Sequence, residues 1–280
     1  MTRTTTLVVL TLLAAVGGAP ARGDMIAPPP TRLKVAPADA VVVGKVTAVA
    51  EKAEKAEIYK GDERNLKIAT VKVASALMGK AGTTVKVGFV FNAGLPRRYP
   101  VAQLAKGQEA LLILTKHPTK KGIYYLANYY DVVGKKDNAA FKNEVEEVKK
   151  VVKLMASPQT GLKAKSAEDR LLTAALLITR YKTPPPGSDK TEAVPPAESK
   201  LLLTALAEAD WANPPGRDWQ LSPQNLFFRL GVTAKDGWTQ PQDFRQIAPA
   251  AKKWLKDNAG KFKMTRYVRD KVAVEPDPEP

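Results

Sequence analysis

The chemistry open to this chain is narrowed first by its rarest side chains. It has one histidine, His117, and no cysteine. A thiolate zinc site, a catalytic thiol and a His-x-x-x-His metal motif are therefore excluded, and carboxylates remain as the metal ligands available. His117 lies in the lysine-rich stretch "TKHPTK". We expect a solvated surface histidine there and not a general base.

The other common catalytic patterns are missing as well. The sequence has no Gly-x-Ser-x-Gly elbow, no Ser-x-x-Lys pair and no glycine-rich phosphate loop. Paired carboxylates occur at Glu168 and Asp169, and at Asp210 and Asp218, and are candidates for glycoside hydrolysis. Acids at a helix start are explained more simply by the helix dipole. We predict a non-enzymatic protein with no catalytic residues, no metal and no cofactor.

Aromatic and basic residues give the strongest indication of a ligand site. In "GIYYLANYYDVV", Tyr125 and Tyr129 fall on one face of a predicted strand, outside the core. With the loop "LPRRYP" they could form a cationic, aromatic surface that stacks on sugars or bases. Alternatively, the outer tyrosines pack beneath a helix at 139–156. The predicted ligand-binding residues are Arg97, Arg98, Tyr99, Tyr125 and Tyr129.

Four tryptophans lie in the C-terminal half of the chain. Trp211 and Trp219 flank a Pro-Pro-Gly turn in "WANPPGRDW", and Trp238 and Trp254 follow. Large aromatic side chains are mostly buried, so we expect these to serve in the core or as loop anchors and not as a ligand cage.

The charge balance bears on partners. A net charge of +16 favours acidic partners such as an anionic polysaccharide, an anionic membrane surface or nucleic acid. The lysines are also interleaved with glutamate, as in "EKAEKAE", which is typical of a solvated surface. Both interpretations stay open.

The first residues have the features of an export signal. Arg3 precedes the apolar run "LVVLTLLAAV", and Ala19-Pro20-Ala21 supplies the small residues of a cleavage site. The run is shorter than the roughly 18 residues of a spanning helix, so we predict cleavage after Ala21 and no transmembrane segment afterwards. A cysteine-free exported chain fits a bacterial periplasm or exterior. Export disfavours nucleic acid and leaves an unknown protein or an acidic polymer of the envelope as partner.

The remaining sequence predicts an α+β protein. Five segments rich in β-branched and aromatic residues predict a small OB-like β-barrel, and an amphipathic pattern predicts a helix that flanks it. Later segments, beginning with a Ser166 cap in "SAEDRLL", predict an all-helical part. The predicted division is a signal peptide at 1–21, an extended proline-rich lead-in at 22–37, the barrel with its helix at 38–157, a helical domain at 158–270 and a disordered acidic tail at 271–280.

Gly44 stands inside the valine-rich first strand, "ADAVVVGKVTAVA". A glycine there permits the sharp bend that a small closed barrel needs. It could equally allow a neighbouring chain to approach closely. The sequence leaves these two roles open.

Four segments, "ADAVVVGKV", "ATVKVASALMGK", "KGQEALLILTKH" and "GIYYLANYYDVVG", resemble in their order the netrin-like domain, the barrel also used by tissue inhibitors of metalloproteinases. The resemblance covers roughly residues 38–150, about one small domain, and implies a protease-inhibitor-like module as an alternative function. In the animal inhibitors an N-terminal cysteine chelates the protease metal, so that mechanism does not carry over to this chain. The helical part is loosely similar to a small helical-repeat domain, without a fixed period.

Overall fold

A computed structural model of the chain describes residues 30–59, 61–91, 101–135, 140–213, 219–270 and 272. It is an α+β structure with its large sheet in the N-terminal half and most helices in the C-terminal half, as predicted. The strands are β1 (Ala40–Val49), β2 (Glu54–Tyr59), β3 (Asp62–Met78), β4 (Thr84–Val90), β5 (Glu109–Lys116), β6 (Ile123–Tyr125), β7 (Val132–Gly134), β8 (Thr191–Ala193) and β9 (Thr265–Tyr267). The α-helices are α1 (Thr31–Val35), α2 (Phe141–Ala156), α3 (Pro158–Leu162), α4 (Ala167–Lys182), α5 (Pro196–Glu208), α6 (Pro223–Arg229) and α7 (Ile247–Asn258).

The large sheet contains seven strands in the order β1-β3-β4-β6-β5-β7, and β2 pairs with the start of β3. The β4–β6 pair is parallel and the others are antiparallel. In addition, β1 pairs with β5 from Ala40 to Lys45. The first strand therefore has hydrogen-bonded neighbours on both edges.

Two sequence predictions about these elements were wrong, and one strand was not predicted. The charged segment "EKAEIY" is strand β2, because its alternate residues Ala56 and Ile58 are buried. The helical half contains the small sheet β8–β9, whose three-residue strands are too short to leave a sequence pattern. The proline-rich lead-in contains α1, which follows Pro30 directly and buries Leu33 and Val35.

Gly44 combines the two roles that the sequence left open. The register between β1 and β3 shifts between Val43 and Gly44, and such an irregularity bends a strand. A Cβ atom at Gly44 would lie 2.7 Å from both the Lys72 carbonyl oxygen and Val71 Cγ1. Both the irregular register and the close approach of β3 therefore favour glycine at this position.

Side chains alternate between two faces of the sheet and enter different cores. Together with Leu104 and Leu126 of the connecting segments, Val42, Val87 and Leu112 belong to a core made mostly by strand residues. Their neighbours Val41, Leu111 and Ile113 belong to the largest core, which also contains α2, α4, α5, α6 and α7. The helices therefore pack on the outer face of β1 and β5, so the two halves of the chain share one hydrophobic core.

Two helices begin with serine caps, of which the sequence predicts the one at Ser166. Ser166 Oγ accepts the backbone N–H of Asp169 at the start of α4, and Ser222 Oγ accepts that of Asn225 at the start of α6. The last helix, α7, begins at Ile247, directly after a separate 3-10 turn that Asp243 caps. Within the described ranges, no helix is both long and apolar enough to cross a membrane.

Two buried arginines join the sheet, α4 and the C-terminal segment in what we call the junction, formed by Asp39, Arg180 and Arg269. Arg269 Nη1 lies 3.1 Å from Asp39 Oδ1, and its guanidinium also donates to the carbonyls of Pro37 and Thr183. Arg180 donates to the carbonyls of Ala36, Ala38 and Asp270. Backbone acceptors thus satisfy most of this buried charge, and Arg269 Nε is left without a partner.

Candidate binding groove

A groove runs between the helical half and the turn that separates β6 from β7. It consists of two adjoining cavities that share Gln220 and Arg229. The outer groove, about 500 Å³, is lined by Trp219, Gln220, Asn225, Phe228 and Arg229. The inner chamber, about 200 Å³, reaches α1, α4 and the 3-10 turn at residues 129–131. Their combined size is typical of sites that hold small molecules or sugar units.

The outer groove exposes two aromatic side chains. Trp219 is 62% exposed, and Phe228 also faces solvent. Asn225 Nδ2 donates to the Trp219 carbonyl at 2.5 Å, which ties the segment before α6 to that helix. Phe227 is buried and packs edge-on against Trp238, 4.7 Å between ring centroids. Phe227 therefore anchors α6 in the core while the next residue, Phe228, is presented to the groove.

Arg229 connects the two cavities. It is half-buried, and burial lowers the pKa of its guanidinium below the ordinary value. Among the described residues, no acidic side chain lies within ion-pair distance of it, unlike the arginines at positions 64, 170, 245, 266 and 269. A partly desolvated guanidinium without a protein partner is costly and is well suited to bind an anionic or hydroxylated ligand.

The inner chamber contains a second cation. Lys34 Nζ donates to the Tyr130 carbonyl at 2.7 Å and lies 5.3 Å from the centroid of the Tyr130 ring. Burial lowers the pKa of Lys34, and the nearby charges of Asp131 and Glu144 oppose that shift. The contact with the ring helps to hold the ammonium group in place.

Asp131 is the acid of the inner chamber. It is buried, and its carboxylate accepts the Asn128 backbone N–H at 2.7 Å in a reciprocal cap of the 3-10 turn. Burial raises the pKa of Asp131 to about 6, although the hydrogen bonds from Asn128 and the charge of Lys34 act in the opposite direction. A carboxyl that titrates near neutral pH beside a cavity is a frequent feature of functional sites.

Thr179 of α4 also lines the inner chamber. Its side chain is 4% exposed, and its hydroxyl oxygen has no hydrogen-bond partner in the described structure. A buried hydroxyl without a partner is uncommon and destabilising. A ligand group that reached this buried hydroxyl would supply its missing hydrogen bond.

The predicted ligand residues are only partly connected with this groove. Tyr129 is 42% exposed and packs edge-on against Tyr130, 5.0 Å between ring centroids. Tyr125 is 1% exposed, so the expected open tyrosine pair does not exist. It lies outside the sheet core, as its position in the strand predicts, but Ala56, Ile58 and Leu66 cover it, and no helix does. Arg97, Arg98 and Tyr99 lie outside the described residues.

The tryptophans also differ from the prediction at one position. Trp238 and Trp254 are buried in the core, and Trp211 Nε1 donates to the Leu206 carbonyl at 2.8 Å as a loop anchor. Trp219 is neither buried nor an anchor of this kind. One feature of the sequence could have indicated the groove. Phe227 and Phe228 are adjacent in a short helix, so their side chains point about 100° apart and meet different surroundings.

His117 is not a solvated histidine, because its ring folds back beneath its own turn. It is 6% exposed, and its Nδ1 accepts the backbone N–H groups of Thr119 and Lys120. Burial and the charge of Lys120 lower its pKa. The ring lies 6.1 Å from that of Tyr125 and away from the groove. We assign it a structural role in the turn.

The candidate acid pairs have local contacts that fit structural roles. Glu168 and Asp169 lie in the first turn of α4, where the helix dipole favours negative charge. Asp210 accepts the backbone N–H groups of Ala212 and Asn213, and these bonds lower its pKa. Asp218 lies outside the described residues. In the part of the chain that the structure describes, no cluster of three or more His, Cys, Asp or Glu side chains could hold a metal ion.

Comparison with known proteins gives no relative from which a ligand could be transferred. The sequence matches no family model and no curated protein.

Proposed function

We propose that this protein is an exported, non-enzymatic binding protein that holds a polysaccharide chain of the bacterial envelope in the groove. The observation that carries the proposal is the exposed pair Trp219 and Phe228, flanked by two side-chain amides and by Arg229. The basic charge of the chain also supports the proposal.

The residue types of the outer groove suit a sugar. A pyranose ring has apolar faces of C–H groups and a rim of hydroxyls, so it stacks on an aromatic ring while its edges form hydrogen bonds. Trp219 and Phe228 offer such faces, and the amides of Gln220 and Asn225 can each donate and accept. Apolar surface with a few placed polar groups is the usual composition of ligand sites.

The sheet would serve as the scaffold for this groove. We infer that it closes into a five-stranded OB-like barrel, because the pairings run from β1 through β3, β4, β6 and β5 and return to β1. OB barrels have a five-stranded Greek-key arrangement that hosts oligosaccharide and oligonucleotide binders alike. The resemblance to the netrin-like domain stays a hypothesis, and so does the inhibitor function that it implies. The predicted boundary near residue 157 also stays a prediction.

Export is part of the proposal and is testable separately. The signal-like residues 1–21 lie outside the described structure, so its support is the sequence pattern. Fractionation of bacteria that express the full-length chain should place a shortened protein in the periplasm or medium. A full-length protein retained in the cytoplasm would contradict export.

Single-stranded nucleic acid is the second candidate, favoured by the exposed aromatic pair and the net charge of +16. Bases also stack on aromatic side chains, but their binding should weaken steeply with salt as phosphate contacts are lost. Stacking and hydrogen bonding to sugars depend much less on salt. Salt dependence therefore separates a neutral polysaccharide from nucleic acid, and direct competition between the two probes separates an acidic one.

Affinity electrophoresis and calorimetry on the purified protein would test the proposal, with polygalacturonate, alginate, a neutral β-glucan and single-stranded DNA as probes. We expect at least one polysaccharide to bind, and Trp219→Ala to weaken it by about tenfold or more. Phe244→Ala is the matched control, because Phe244 is 75% exposed but does not line the groove. Binding of DNA alone, or equal losses in the two variants, would overturn the proposal.

A further inference from the structure

The inner chamber has an arrangement of charge that the outer groove lacks. Lys34 enters it from α1 and Arg229 from α6, and neither is within ion-pair distance of an acidic side chain among the described residues. Asp131 enters from the 3-10 turn between β6 and β7. The lining therefore holds two cations and one carboxyl group in a volume of about 200 Å³.

Side chains from four elements line the chamber around Asp131. Its own turn contributes Tyr130, α1 contributes Lys34, α6 contributes Arg229, and α4 contributes the hydroxyl of Thr179. Glu144 of α2 acts on Lys34 from a greater distance. Asp131 is consequently the acidic side chain that shares the chamber with a ligand.

The unpartnered Thr179 hydroxyl indicates which ligand group fits. A carboxylate has two oxygens that accept hydrogen bonds, and it can take one from Thr179 while Arg229 and Lys34 neutralise its charge. A neutral hydroxymethyl group would leave Arg229 without a counter-charge, whereas Asp131 and Glu144 already act on Lys34. The chamber thus favours an acidic substituent at the point where the outer groove ends.

We propose that the inner chamber receives a carboxylate of the bound polysaccharide, so that the ligand is a uronate-containing chain, and that protonation of Asp131 strengthens its capture in mildly acidic conditions. This rests on the proposed function, since it assigns the substituent and the regulation of the same groove.

The direction of the pH effect follows from the two carboxyl groups. The pKa of Asp131 is raised to about 6 by burial, so the group is largely neutral below that pH and negative above it. A sugar carboxylate, like an α-carboxyl group, ionises near about pH 3.5 and stays charged throughout. Above pH 6 the two negative charges share the chamber and repel each other. Affinity should therefore fall as the pH rises.

The experiment compares polygalacturonate oligomers with their methyl esters by calorimetry at about pH 5 and about pH 8. Four proteins are used: wild type, Arg229→Gln, Asp131→Asn and the control Arg245→Gln. Arg245 is exposed and does not line the groove. Asp131→Asn retains an acceptor for the Asn128 N–H but cannot ionise.

For the wild type we expect the acid form to bind about tenfold more tightly at pH 5 than at pH 8, and the ester to bind weakly at both. Arg229→Gln should lose the preference for the acid form, Asp131→Asn should lose the pH dependence, and Arg245→Gln should retain both. If Asp131→Asn does not fold, the ester comparison and Arg229→Gln still decide the proposal.

Equal binding of acid and ester, or a preference unaffected by Arg229→Gln, would overturn the carboxylate assignment while leaving polysaccharide binding intact. Tighter binding at pH 8 would overturn the role of Asp131. If no polysaccharide bound the wild type at either pH, the proposed function itself would fail, and this inference with it.

Discussion

The junction and the groove are two places where charged side chains are buried between the sheet and the helices. At the junction, Arg269 has Asp39 and two backbone carbonyls as partners, and Arg180 has three carbonyls. In the groove, Arg229 has no ion pair in the described ranges, and the hydroxyl of Thr179 has no partner. The same kind of interface thus contains a cluster whose charges have protein partners, apart from Arg269 Nε, and a cluster in which Arg229 and Thr179 have none among the described residues.

This difference separates structure from function. Burying a polar or charged group is unfavourable unless it finds partners, so a satisfied cluster can be explained by the fold alone. An unsatisfied cluster beside a cavity needs a further explanation, and a ligand that supplies the missing partners is the simplest. Stability should therefore depend on the junction, and binding on the groove.

The largest expected effect is at the junction. Arg269→Ala removes the ion-pair partner of Asp39, which keeps its hydrogen bond from the Lys116 backbone N–H, and also the bonds to the Pro37 and Thr183 carbonyls. It should lower the free energy of unfolding by about 3 kcal/mol. Arg229→Ala should lower it by less than about 1 kcal/mol, because that side chain has no ion-pair partner to lose among the described residues. Urea unfolding of both variants measures this. Equal losses would remove the distinction between the two clusters.

The sheet that supports both clusters offers a second test. Gly44→Val places a side chain 2.7 Å from the Lys72 carbonyl oxygen and should lower the free energy of unfolding by about 2 kcal/mol. Gly82→Val is the control, because its nearest neighbour atom would be 3.9 Å away, and it should change stability by less than about 0.5 kcal/mol. Thermal melts compare the two, and an unchanged melting temperature for Gly44→Val would contradict the close-approach explanation.

The buried carboxyl of Asp131 should make stability depend on pH. The folded pKa of Asp131, about 6, is above its unfolded value, so the folded state keeps a proton that the unfolded state has released. The stability from this group is present in acid and is lost as the pH rises through about 6, by on the order of 1–3 kcal/mol. Asp131→Asn should therefore flatten stability between pH 4 and 7. If the urea midpoint of the wild type stayed as constant between pH 4 and 7 as that of Asp131→Asn, the prediction would be refuted.

The smallest expected effect is at the exposed aromatic pair. Trp219→Ala and Phe228→Ala should each change the free energy of unfolding by less than about 0.5 kcal/mol, since neither side chain belongs to a core. Urea unfolding tests this beside the binding assays. A loss of several kcal/mol in either variant would show that the pair supports the fold instead of binding a ligand.

Part of the fold could be predicted from local sequence patterns. The cap at Ser166 and the position of Tyr125 outside the sheet core follow from local patterns, and the structure shows them. The burial of Tyr125 could not be predicted, because its cover comes from β2, a strand rich in charged residues. Local pattern thus predicts an orientation but not what covers it.

The groove could not be predicted for a related reason. Lys34, Asp131 and Arg229 are far apart in the sequence and meet only because the helices pack against the outer face of β1 and β5. No spacing rule connects such residues. Their missing partners can be recognised only once the packing is known.

The most direct test of the account is hydroxyl-radical footprinting of the full chain, read by mass spectrometry with and without a saturating uronate oligosaccharide. Trp219 and Phe228 are exposed in the groove, and Phe244 is exposed outside it. The account predicts that the ligand slows modification of Trp219 and Phe228 and leaves Phe244 unchanged. Unchanged modification of Trp219 at saturation, or equal protection of Phe244, would contradict it.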